Sequence, residues 1–272
     1  MSETVPELLP LPTVLALGTR DRSRDVLRRS FPKRRGRLTF VRTKDELLGA
    51  LRGTMIDAVV VDFGAPRDET WAAAALARDF PSIPFFALAP IRPADLQTLG
   101  KAIGQFEFAD FLIEGVDDAV QRDLVLPSTF TMRFATALHG AAARLGLASP
   151  MQQQVWRLVI AHGGRTVRTE TIAAEVKLTR EHLSRRFSAD GAPNLKRVID
   201  LSRLLAASEL AKNPGYDIPD VARVLGFASA SHLSSSCQRV IGVKSASLSR
   251  LRPADLIDRF VGQGRARSRR RE

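Results

Sequence analysis

The sequence predicts an α/β domain built on a parallel sheet, followed by an all-α domain. Three observations predict it. Through Gly115, short apolar runs alternate with segments of helical spacing. From Ser149 onward every segment is helical. The charge also changes between the halves: residues 1–148 hold 19 Lys and Arg against 18 Asp and Glu, and residues 149–272 hold 22 against 11. Alternating strands and helices imply parallel strands joined by crossover helices. A balanced half joined to a strongly basic one suggests a signal-handling or assembly domain attached to a polyanion-binding domain.

The elements follow in order. TVLALGT (13–19) is a short apolar run, and the basic stretch after it has Val26, Leu27 and Phe31 as its apolar side. LTFVRT (38–43) is β-branched and strand-like. KDELLGALRG (44–53) carries Leu47, Leu48 and Leu51 on one helical face and ends on Gly53. DAVVVDF (57–63) reads as a buried strand. A helix over 69–79, the strand PFFALAP (84–90), a helix over 94–103 and the strand ADFLIEG (109–115) complete the series. The alanine-rich MRFATALHGAAARLG (132–146) has helical spacing. It reads either as a linker that pairs two chains or as a helix packed on the first domain.

The second half starts with SPMQQQVWRLVIAHGG (149–164), which has a Ser cap, a Pro in the first turn and a double-Gly stop. Short helices over 169–176, with Thr169 as cap, and 179–187 follow. A long helix ends at Pro214-Gly215 and takes in 195–212, roughly 27 Å if fully helical. Helices over 218–227, 229–242 and 253–261 come next. The tail GQGRARSRRRE (262–272) holds five arginines and no apolar anchor, so disorder is expected.

Composition excludes several classes. Hydrophobic residues make up 44% of the 272, too many for a mostly disordered chain. No apolar run is long enough to span a bilayer. Glu3 and Glu7 stand where a secretory signal would be basic, so a cytoplasmic protein is expected, with no membrane partner. The one cysteine, Cys237, excludes an internal disulfide framework, and four scattered histidines at no ligand spacing argue against a metal. With no nucleophile–base pairing and no Gly-rich phosphate loop, neither an enzyme nor a cofactor is expected.

The functional signal lies in residues 218–242. Val221, Leu225 and Phe227 mark a core face, and Ala222 stands where two helices cross closely. Gly226, four residues later, suits a turn that needs a positive φ. Ser229 can cap the next helix, which buries Leu233, Cys237 and Ile241 at four-residue spacing. Its other face is free to enter a DNA major groove. The same plan recurs upstream: Ile172, Ala173 and Val176, a turn at Lys177-Leu178, then a helix capped by Thr179 that buries Leu183 and Phe187. Lys177 replaces the turn glycine. Two helix-turn-helix units on one long connector are a far more specific signal than either alone.

On IAAEVKLTREHLSRRF, LKRVIDLSRLLAASEL and DIPDVARVLGFASASHLSSSCQRVIGV, residues 165–252 resemble the DNA-binding domain of the AraC/XylS transcription regulators. Cys237 stands where that family usually has Phe, and Lys244-Ser245 where it has Thr-Pro. DAVVVDF resembles the third strand of a response-regulator receiver domain, with Asp62 at the phosphoacceptor position. Where a working receiver has an acidic pair, a switch hydroxyl and a lysine, this chain has Gly18 and Thr19, Ala89 and Glu114. The fold class implied is a receiver-like (flavodoxin-like) α/β domain over 1–116, a helical linker over 117–148, and an all-α domain with two helix-turn-helix units over 149–261, ahead of the tail. The function implied is a sequence-specific transcription regulator whose receiver-like domain is not phosphorylated. Double-stranded DNA, a second copy of the chain and RNA polymerase are the implied partners.

Candidate DNA-contacting residues are Arg180, Glu181, Ser184 and Arg185 on the first recognition helix, and Ser231, His232, Ser235 and Arg239 on the second. The arginine fork matches guanine or phosphate, and Glu can accept from cytosine. The bland reading is a solvated charged face. Two alternatives are a non-specific DNA-coating, nucleoid-type protein and a phosphorylation-controlled response regulator using Asp62.

Overall fold

The computed structural model describes residues 10–18, 20–90, 92 and 96–268. Glu3, Glu7, Thr19 and residues 269–272 of the tail lie outside them. The chain divides into two compact units. Leu11–Arg133 with Asn213–Asp217 form one; Phe134–Lys212 and Ile218 onward form the body of the other.

The first unit is a five-stranded sheet in the order β2-β1-β3-β4-β5, with every neighbouring pair parallel. The strands are β1 (Thr13–Leu17), β2 (Arg37–Val41), β3 (Ala58–Asp62), β4 (Phe85–Ala89) and β5 (Asp110–Ile113). β3 and β4 are buried along their whole length. A strand covered on both faces reads as an unbroken apolar run, as AVVVD and FFALA do. The helices are α1 (Asp21–Ser30), α2 (Lys44–Gly53), α3 (Asp68–Ala75), α4 (Leu96–Gln105) and α5 (Asp118–Ser128). One core cluster joins Val14 and Ala16 of β1, Val60, Phe86, Leu27 of α1 and Phe31 just after it.

The α/β unit extends beyond residue 116. Val125 of α5 is fully buried in the same cluster and Leu126 packs against it, so α5 is the last layer of this unit and not part of a linker. Asp57 then holds the start of α6 (Phe130–Leu138). Its carboxylate accepts N–H groups from Thr13 at 2.8 Å and Thr131 at 3.2 Å, and its carbonyl accepts from Phe130 at 2.9 Å. The helix expected over 132–146 is shorter: it ends at Leu138, a 3-10 stretch covers His139–Ala142, and Gly146 is left-handed. Gly140 sits at the break, where a residue without a side chain favours leaving the helix.

The second unit is helical: α7 (Pro150–Ile160), α8 (Thr169–Glu175), α9 (Arg180–Phe187), α10 (Leu195–Leu210), α11 (Ile218–Val224), α12 (Ala230–Ile241) and α13 (Pro253–Ser268). Ser149 and Gln152 form a capping box on α7. Helix α8 begins at Thr169, so Arg168 takes the cap position that the sequence suggested for Thr169. The connector α10 has 16 residues, about 24 Å, and 11 of them are buried, which makes it the spine of this unit. Helix α13 continues to Ser268 where the sequence suggested a structureless tail from Gly262. Extending an existing helix needs no new nucleus, which offsets the cost of Gly262 and Gly264 in this stretch. No helix among the described residues is long and apolar enough to cross a membrane.

Candidate nucleic-acid interface

The two helix-turn-helix units share one turn. In the second, the Gly226 N–H donates to the Arg223 carbonyl at 3.0 Å and the Phe227 N–H to the Ala222 carbonyl at 2.8 Å. In the first, the Lys177 N–H donates to the Ala174 carbonyl at 3.1 Å and the Leu178 N–H to the Ala173 carbonyl at 2.9 Å. The donors and acceptors fall at the same spacing, four residues on from Ala173 and Ala222. Gly226 sits at φ 66° and Lys177 at φ 55°. The lysine therefore adopts the left-handed conformation that the glycine adopts without steric penalty.

Each turn leads into a capped helix. Thr179 Oγ1 accepts the His182 N–H at 3.2 Å, and Ser229 Oγ accepts the His232 N–H at 3.1 Å. Leu183 and Phe187 anchor α9, and Leu233, Cys237 and Ile241 anchor α12, all buried. The connector braces the second turn. Arg203 of α10 donates to the Leu225 carbonyl at 3.0 Å and lies 3.9 Å from the Phe227 ring centroid. Burial pulls its pKa down, against the pull of Asp200. Gln152 of α7 donates to the Phe187 carbonyl at 2.9 Å and so ties off the end of α9.

The outward face of α9 carries Arg180, Glu181, Arg185 and Arg186, all exposed, with Ser184 half-buried. Arg180 lies 3.3 Å from Glu170 of α8. Among the described residues no ion pair involves Arg185. On α12, Ser231, His232, Ser235 and Arg239 are exposed. Arg239 pairs with Asp200 of the connector at 3.0 Å. The His232 ring is partly used in the fold: Nδ1 lies 3.4 Å from the Ala228 N–H, and the ring meets Phe227 edge-on. Each sequence candidate except the half-buried Ser184 is thus exposed, and Arg180, Arg239 and His232 already have partners within the chain. Cys237 is core, its thiol pushed up to about 12 by burial.

In the α/β unit, Asp62 ends β3 and is 1% exposed. Its carboxylate accepts from Arg20 Nε at 3.1 Å, Arg20 Nη2 at 2.5 Å, Ser23 Oγ at 2.6 Å and the Gly64 N–H at 2.9 Å. Arg20 Nη2 also pairs with Glu114, which Arg22 approaches to 3.4 Å. Burial works against the Arg20 charge, but Asp62 and Glu114 outweigh it and hold the guanidinium more basic than usual. Gly64 leaves the room: a Cβ there would lie 1.9 Å from the guanidinium carbon. Arg20 falls just past Gly18 and Thr19, the positions that the receiver resemblance points to. The available signal was an arginine just after β1 paired with a Glu, in place of Lys, after β5. Among the described residues no group of three or more His, Cys, Asp or Glu could hold a metal ion.

A helix-turn-helix DNA-binding domain joined to a receiver-like α/β domain is the make-up of a transcription regulator. Residues 172–250 match the family model described as a helix-turn-helix domain. No curated protein sequence matches the chain. Among solved structures, a response regulator from Thermotoga maritima is 16% identical, covering 44% of this chain and 98% of its own, with a TM-score of 0.37. Full-length FixJ from B. japonicum is 16% identical over 84% of this chain and 96% of its own, also at 0.37. The signal receiver domain of an HD domain-containing protein from Pseudomonas fluorescens Pf-5 is 21% identical over 47% and 93%, again at 0.37. The receiver-like assignment rests on the parallel sheet and its flanking helices.

Proposed function

We propose that this chain is a sequence-specific regulator of the AraC type that reads DNA through α9 and α12, and whose receiver-like unit works without phosphorylation. The observation that carries the reading is the repeated turn, with the same pair of backbone hydrogen bonds at Lys177 and Gly226. It presents two short helices with buried inner faces and polar outer faces. The net charge of +11 over residues 149–272 favours a polyanion. Arg185 is the leading base contact. Arg180, Glu181, Ser184, Ser231, His232, Ser235 and Arg239 are candidate contacts to bases or phosphates. A second copy and RNA polymerase are the expected protein partners. Val116, Val120 and Leu124 are exposed at four-residue spacing along and before α5, and support self-association through the α/β unit.

The competing reading is non-specific coating, which the basic charge alone would serve. Titration of a fluorescent genomic site with excess random duplex separates the two. Specific binding survives at competitor ratios near 10³, because specific sites bind about that much tighter or more. Loss of binding at equal mass of random DNA would favour coating.

A further inference from the structure

We infer that the turn Asn213–Asp217 is a latch seated on the α/β unit, and that this unit acts on the second helix-turn-helix through it. These five residues leave the connector helix at Lys212 and enter α11 at Ile218, yet they belong to the compact unit of Leu11–Arg133. Every residue from Asn213 to Tyr216 except Pro214 is held there. The Asn213 side chain accepts the Ser82 N–H at 2.8 Å and donates to Ser82 Oγ at 2.7 Å. The Gly215 N–H donates to the Asp79 carbonyl at 2.8 Å, and the Gly215 carbonyl accepts from Arg52 Nε at 3.0 Å. The Tyr216 hydroxyl donates to the Leu51 carbonyl at 2.9 Å, and its ring meets Phe80 edge-on at 4.8 Å.

The fit is steric as well as polar. A Cβ on Gly215 would lie 2.4 Å from the Phe80 ring, so only glycine brings the backbone this close. Asn213 is 1% exposed and Tyr216 8%, the burial of a core and not of a surface turn. A helix stop needs none of this. A Pro-Gly turn satisfies itself with water, whereas here its polar groups are paired with backbone carbonyls and side chains 130 and more residues earlier.

The receiving residues end α2 (Leu51, Arg52) and precede β4 (Asp79, Phe80, Ser82), so they lie at the amino-terminal end of the parallel strands, opposite the Asp62 end. The start of α6 is held at that same end, by Asp57. Thr131 and the latch are therefore held at the same end of the strands. Because the latch leads straight into α11, while all of α10 separates it from α9, loosening it should act first on the start of the second helix-turn-helix. The latch stands apart from the DNA-binding reading; only its effect on DNA rests on that reading.

The test begins without DNA. Hydrogen exchange of the full chain should show the Gly215 amide protected, and Tyr216→Ala should speed exchange across 213–217 about tenfold or more, since hydrogen bonding and ring packing go together. Exchange in α9 should not change. Arg52→Ala, which removes the donor to the Gly215 carbonyl, should give a smaller shift of the same sign. A Gly215 amide that exchanges as fast as an open loop in the unmodified chain, or a Tyr216→Ala variant with unchanged exchange at 213–217, would overturn the latch. With DNA, Tyr216→Ala should change the footprint at one half of the site only. Equal change at both halves, with the exchange result intact, would remove the regulatory consequence and leave the contact.

Discussion

The guanidinium of Arg20 grips the Asp62 carboxylate at both oxygens, with Nε 3.1 Å from Oδ2 and Nη2 2.5 Å from Oδ1. A cation of the chain itself thus occupies the surroundings of Asp62, the carboxylate that the sequence resemblance puts at a phosphoacceptor position. A phosphoryl group there would bring up to two negative charges beside Glu114. Incubation with a small-molecule phosphodonor and Mg²⁺ is expected to give no stable acyl-phosphate. Phosphate retained by the protein and lost in Asp62→Asn would contradict this. Arg20→Ala leaves a buried carboxylate without its cation and should cost about 3 kcal/mol, the low end for a broken buried pair because Arg20 is partly exposed. Urea unfolding measures it, and a change within about 0.5 kcal/mol, as for an ordinary surface site, would count against the pairing.

The shared turn gives a prediction of opposite signs at two equivalent positions. Lys177→Gly relieves a left-handed lysine and should stabilise the helical unit by about 0.5 kcal/mol, the net of lost strain and added unfolded-state entropy. Gly226→Ala should destabilise it by about 1 kcal/mol or more, and the new Cβ would also press within 3.2 Å of Thr166 Oγ1. Thermal melts of both variants check this. Shifts of the same sign would mean that the two turns are not equivalent.

Cys237 should be inert in the folded protein. Its thiol is raised from 9.0 to about 12 by burial. Only the thiolate reacts with alkylating agents, so labelling should run about a thousandfold slower than at an exposed cysteine from this shift alone. Iodoacetamide labelling followed by mass spectrometry, with and without urea, measures it. Prompt labelling of the native chain would place the thiol outside the core.

His162 makes stability depend on pH in one direction. Burial lowers its pKa from 6.5, the Leu158 carbonyl at 2.8 Å pulls it back up, Arg165 adds to the lowering, and the net shift is down. The unfolded chain therefore takes up a proton that the folded chain resists. Stability should be flat above that ordinary value and fall below it, by at most about 1.4 kcal/mol per pH unit from this group. His162→Gln should remove that part of the slope in urea unfolding compared between about pH 7.5 and about pH 5. Parallel curves for the two proteins would exclude His162 as the source.

Much of this was legible in the sequence because burial on both faces leaves an unbroken apolar run and burial on one face leaves a period. The uniform apolar runs AVVVD and FFALA became the inner strands β3 and β4, and the Leu233, Cys237 and Ile241 spacing became the inner face of α12. What escaped depends on partners distant in the chain. Val125 looks like any linker valine until it meets Leu27 and Leu112 in one core. Arg20 looks like one basic residue among many until Asp62, 42 residues on, is placed against it. Asn213 and Tyr216 look like a helix stop because nothing local shows what they bind. Exposure of α9 was legible, but the pairing of Arg180 with Glu170 and of Arg239 with Asp200 was not.

The division of labour between α9 and α12 is the centre of the account. Arg185 is exposed and has no ion-pair partner among the described residues, while α12 offers short hydroxyls, a histidine engaged by its own turn, and an arginine paired with Asp200. Short side chains reach fewer base edges, so α12 should contribute mostly phosphate contacts and groove fit. The most direct measurement is a binding selection from randomised duplex DNA with the unmodified chain, Arg185→Ala and Ser235→Ala, each first shown to be folded. Arg185→Ala should cost about 1–3 kcal/mol on the selected site and relax preference at one or two base pairs, and Ser235→Ala should leave the selected sequence nearly unchanged. A selected sequence reshaped by Ser235→Ala and left intact by Arg185→Ala would contradict the account.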